Sequence, residues 1–80
     1  MSSKHADNVK LVSGVVQRMD PGKDKQGNEM MFLDVFNSPH LVALSERQYA
    51  KNPVLVGDTI EAWVVPELNL TEEFRIVSRA

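Results

Sequence analysis

The sequence predicts an all-β domain of five strands, with one short helix between the third and the fourth. Three observations carry that expectation. Apolar and β-branched residues cluster or alternate over residues 9–19, 29–37, 40–44, 59–65 and 74–78, each run being of strand length. Pro, Gly, Asn and Asp gather between the runs, where chain reversals need them. A helix-start signature stands at Ser45.

The first strand, residues 9–19, is rich in valine, and Gly14 in its middle predicts a bulge or sharp bend. Lys10 and Arg18 are placed on its outer side together with Val12, Gly14 and Val16. Asp20, Pro21 and Gly22 end it, and residues 23–28 extend the turn into a polar hairpin loop carrying Lys23 and Lys25. In the second strand, residues 29–37, alternation separates Met31, Leu33 and Val35 from Met30, Phe32, Asp34 and Phe36; the uniformly aliphatic set is assigned to the core. Asn37, Ser38 and Pro39 turn the chain into the third strand. Ser45 then caps a helix of one to two turns: Gln48 completes a capping box, Leu44 and Tyr49 have the spacing of a hydrophobic staple, and Pro53 stops the segment. This helix is expected to plug one end of a barrel. Val56, Gly57 and Asp58 lead into the fourth strand, with Ile60, Ala62 and Val64 on one face and Thr59, Glu61, Trp63 and Val65 on the other, and Pro66 terminates it. Residues 67–73 are read as a polar connection to the fifth strand.

Eighty residues and 9.0 kDa bound the molecule to one small domain over residues 9–80, preceded by a polar arm, residues 1–8, expected to be disordered. A chain of this size buries only ~60% of the surface it exposes when unfolded, which argues against a deep active-site cavity. It contains no cysteine, hence no disulfide framework and no thiolate metal site. No apolar run approaches the ~20 residues of a membrane span, and the first residues lack the apolar core of a signal peptide, so a cytoplasmic location without membrane contact is expected. The net charge of −2 removes the simplest argument for a polyanionic partner. Its distribution softens that point: residues 1–40 hold five basic and five acidic groups, whereas residues 41–80 hold four and six.

The order strand, strand, strand, short helix, strand, strand is that of the OB-fold, a five-stranded Greek-key barrel. Residues 12–16 (VSGVV), the Lys- and Gly-rich loop, and residues 27–35 (GNEMMFLDV) resemble the nucleic-acid-binding OB modules of bacterial replicative polymerase subunits and class II aminoacyl-tRNA synthetases. Gly57 and Asp58 followed by alternating apolar residues are similar to the fourth strand of such modules. The resemblance covers residues 9–79, and in size the chain is also similar to the small single-stranded DNA-binding proteins of bacteriophages. It implies a non-catalytic domain that binds single-stranded nucleic acid, with Phe32 at the base-stacking position of the synthetase modules.

Nucleophilic catalysis needs a base beside the nucleophile, and Ser13, Ser38 and Ser45 have only His5 and His40 to draw on. Two histidines without cysteine give no metal-ligand spacing, and no cofactor is expected. Residues 22–28 (GKDKQGN) fail as a phosphate loop because Asn28 and Glu29 stand where Lys and Ser/Thr are required. Single strands, by contrast, are held by rings that stack on bases and by cations that follow phosphates. Phe32, Phe36 and Trp63 are the candidate platforms; Lys10, Arg18, Lys23 and Lys25 are the candidate phosphate contacts, with Arg75 and Arg79 extending the track. Four neutralised phosphates would give a log-log salt slope near about −3. Asp34, on the same face as Phe32, opposes this unless Arg18 or Lys10 pairs with it or a base donates to it. The alternative is a protein-interaction module or homodimer, with Met30, Phe32 and Phe36 as apolar anchors.

Overall fold

A computed structural model of the chain describes residues 8–80, so the expected disordered arm lies, apart from Asn8, outside the described residues. The elements are β1 (Lys10–Lys23), β2 (Glu29–Val35), β3 (Val42–Ser45), α1 (Glu46–Lys51), β4 (Thr59–Val65), a 3-10 turn (Pro66–Leu68) and β5 (Leu70–Ser78). All ladders are antiparallel, in the order β3-β2-β1-β4-β5. The expected closed barrel is not realised, because no ladder joins the two edge strands. β3 and β5 nevertheless approach each other across the curled sheet. Gln48 Nε2 donates to the Thr71 carbonyl at 2.8 Å, tying α1 to β5.

β1 gives the sheet its curl. Its first half pairs with β4 (Lys10 to Val15) and its second half with β2 (Val16 to Lys23). Gly14 sits at the bend, where an added Cβ would come 3.0 Å from Val35 Cγ1 and 3.3 Å from the Phe36 carbonyl. A bulge between Val16 and Arg18 follows. One extra residue exchanges the two faces of a strand. Val12 and Val16 accordingly point inward before it, and Arg18 and Asp20 point outward after it. This corrects the expected outer placement of Val12 and Val16, which are buried. β1 also continues past Met19 through Asp20, Pro21 and Gly22. Among the described residues β2 is its only neighbour here, so the missing proline N–H can face the unpaired side without breaking the ladder.

The alternation of β2 holds. Leu33 and Val35 are buried, Met31 packs against the same core, and Met30 and Phe32 lie half-buried on the opposite face. Leu33 and Val35 join Val12, Val16, Val42, Leu44, Val54, Ile60, Ala62 and Val64 in one cluster, with Met19, Met31, Tyr49, Phe74 and Ile76 at its margin. The capping box is present in both directions: Ser45 Oγ accepts the Gln48 N–H at 3.1 Å, and Gln48 Oε1 accepts the Ser45 N–H at 2.9 Å. The expected polar connection after β4 is shorter than predicted. Asn69 takes a left-handed conformation (φ 48°), its N–H donates to the Pro66 carbonyl at 3.2 Å, and β5 starts at Leu70 opposite Val65.

Candidate nucleic-acid interface

The outward face of the β1-β2-β3 half of the sheet carries Phe32, and the ladder dictates its surroundings. Phe32 stands opposite Asp20 on one side and Ala43 on the other, while Met30 stands opposite Gly22 and Ser45. Gly22 leaves room for the aromatic ring: a Cβ there would lie 2.7 Å from Phe32 Cε2. The ring therefore leans along the strand over a glycine, held from below and half-open to solvent.

Two loops rise beside this ring. The β1-β2 loop is folded around Asp24, whose Oδ1 accepts the N–H groups of Asn28 at 2.8 Å and Gln26 at 2.9 Å, and whose Oδ2 accepts Asn28 Nδ2 at 3.1 Å. The Asn28 backbone donor, the Asn28 side chain and the Gln26 donor hold the Asp24 carboxyl below its ordinary value. Its charge is thus committed to shaping the loop, and the neighbouring lysines are left outside that network. Lys23 lies 3.8 Å from Glu29 in an exposed pair of little energetic weight. Lys25 is exposed and forms no ion pair among the described residues. The second loop is the 3-10 turn before β5. Together the two loops enclose a groove of about 360 Å³ lined by Lys23, Asp24, Lys25, Gln26, Met30, Phe32, Glu67, Leu68 and Asn69. Met30, Phe32 and Leu68 give it an apolar part, its rims carry two lysines and two carboxamides, and Asp24 and Glu67 are its two acidic groups.

Of the residues singled out in the sequence, the groove unites Lys23, Lys25 and Phe32. The others lie elsewhere. Phe36 follows the end of β2, is 63% exposed, and donates its backbone N–H to the Val15 carbonyl at 2.8 Å. Trp63 is half-buried on β4 opposite Leu11 and is not among the residues that line the groove. Arg18 faces Asp34 across the ladder, yet its guanidinium closes on Asp20 at 3.0 Å. Lys10 lines a separate depression with Asn8, His40, Pro66 and Glu67. Arg75 pairs with Glu61, and Arg79 with the buried Asp58 at 3.2 Å and with the Pro53 carbonyl at 2.9 Å, so both are engaged in holding β5 in place.

Sequence reasoning missed Met30 as a groove residue, and Leu68 and Asn69 altogether. The available signal was the run Pro66 to Leu70, where a proline and an asparagine three residues apart mark a tight reversal. Among the described residues no group of three His, Asp or Glu is placed to hold a metal ion, and no helix is long and apolar enough to cross a membrane. Comparison with protein-family models, with curated proteins and with solved structures finds no match.

Proposed function

We propose that the groove binds single-stranded nucleic acid, DNA in the first instance, without catalysis. The single observation that carries this reading is the convergence of a half-open phenylalanine with one loop rim that bears Lys23, Lys25 and Gln26 and a second that bears Asn69, all in one concavity. Phe32 supplies the stacking plane, Lys23 and Lys25 the phosphate contacts, and Gln26 and Asn69 hydrogen-bonding groups able to meet base edges. The strand connectivity supports it as well: β1 shared between two half-sheets, with the short helix after β3, is similar to the order of elements in OB-like Greek keys, partly open folds that bind oligonucleotides between their first and last loops.

The electrostatic demand is smaller than the sequence suggested. Neither Arg18 nor Lys10 lines the groove, so Lys23 and Lys25 remain there, and the expected log-log salt slope falls to about −1.4 at ~0.7 per phosphate. The test is a fluorescence-anisotropy titration of labelled oligothymidylate at low salt. Saturable binding that weakens by ~1 to 3 kcal/mol in Phe32→Ala supports the reading. No binding to DNA or RNA at high micromolar protein overturns it.

A second reading rests on a different surface. Val15, Phe36, Leu55 and Val56 are exposed around the β1 bend, where Val15 bonds Phe36 and Val16 bonds Gly57 through their backbones. Such a cluster fits a protein partner or a homodimer. Light scattering showing a dimer that Phe36→Glu dissociates would favour it.

A further inference from the structure

The depression that holds Lys10 shares a wall with the groove. It measures about 540 Å³, and Glu67 lines both concavities. The chemistry on its two sides is alike. In the groove a phenylalanine and a leucine accompany two lysines; in the depression His40 and Pro66 accompany Lys10 and Asn8. The backbone that carries His40 and Lys10 is fixed. Ser38 Oγ donates to the His40 carbonyl at 3.0 Å and accepts the His40 N–H at 3.2 Å, fixing the backbone before β3. Lys10 is anchored in the ladder opposite Val64, two residues before Pro66.

We propose that this depression is a second nucleotide subsite of the same binding surface. His40 and Pro66 receive a base, Lys10 receives a phosphate, and the Glu67 carboxylate stands between the subsites as a repulsive divider that weakens the hold on a continuous strand. This inference rests on the groove reading and extends it past Glu67. It also assigns a place to Lys10, which the groove itself leaves out.

Oligothymidylates of about four and about twelve nucleotides, a range spanning the site sizes of such folds, provide the test. The longer strand is expected to bind the wild-type protein more tightly than its added length alone provides. His40→Ala should weaken the longer strand about fivefold or more, the loss of one stacked base, and leave the shorter one unchanged. Lys10→Ala should lower the salt slope of the longer strand by about 0.7. Glu67→Gln should tighten the longer strand about two- to fivefold, as expected for removing one exposed like charge. Equal effects of His40→Ala on both strands, or none on either, overturn the second subsite; if Phe32→Ala still weakens the short strand in that case, the groove reading survives. Absence of binding by both strands overturns the groove reading and this extension together.

Discussion

Replacing Gly22 by alanine moves the Phe32 ring without removing it. The new Cβ would lie 2.7 Å from Phe32 Cε2, 3.1 Å from Cδ2 and 3.9 Å from Cζ, and the first of these separations cannot persist. Gly22 belongs to β1 and is absent from the residues with positive φ, so alanine fits its backbone. The lost freedom of the unfolded chain then contributes about 0.4–1 kcal/mol in favour of folding. Pushing the ring off its rotamer costs about 0.5–1.5 kcal/mol, and the two terms nearly offset. Stability should therefore change by less than about 1 kcal/mol, while binding loses much of a base stack, at least about fivefold in affinity. Urea denaturation and anisotropy titration with oligothymidylate measure the two quantities on one sample. Unchanged affinity in a normally folded variant would refute the placement of the platform. A stability loss of several kcal/mol would instead show that the ring is a core element.

Two further perturbations separate core from surface and probe the closing turn. Leu33→Ala, at a fully buried position, should cost about 2–5 kcal/mol in urea denaturation, whereas Phe36→Ala, mostly exposed, should stay within about 0.5 kcal/mol; similar losses at both sites would contradict the face assignment of β2. Asp58 is buried, and the N–H groups of Leu55 and Ala80, together with the Arg79 guanidinium, hold its carboxyl below the usual aspartate value. A depressed folded value means that the carboxylate stabilises the fold above its unfolded value and loses that contribution as pH falls through the folded one. Wild-type stability should thus decline below about pH 4, and Asp58→Asn should be less stable at neutral pH with a shallower acid slope. Urea midpoints between neutral and acidic pH check this, and parallel curves for the two proteins would contradict it.

How far the structure was legible in the sequence depended on how local the cause was. The period of two in β2 separated Met31, Leu33 and Val35 from Phe32 because burial on one face is written directly into alternation. The Ser45-Gln48 box was equally legible, since both partners lie within one turn. The outer face of β1 was misread because a bulge after Val16 exchanges its faces, and nothing in Gln17 announces an unpaired residue. Pro21 and Gly22 signalled a turn locally, but pairing to Met31 and Met30 overrode the signal. The groove was half legible. Its loop lysines and Phe32 are neighbours along the chain, whereas Leu68 and Asn69 arrive from a loop that only the curl of the whole sheet brings beside them. Asp24 shows the same limit in electrostatics: by sequence it opposes the lysines, yet its carboxylate is occupied by the N–H groups of its own loop.

Backbone amide chemical-shift mapping locates the ligand with respect to the groove between the two loops. On addition of oligothymidylate to the isotopically labelled protein, the largest changes are expected at Lys23 to Gln26, Phe32 and Glu67 to Asn69 if the ligand lies there. Changes centred instead on Phe36, Val15 and Val56, or no changes at all, would contradict that placement.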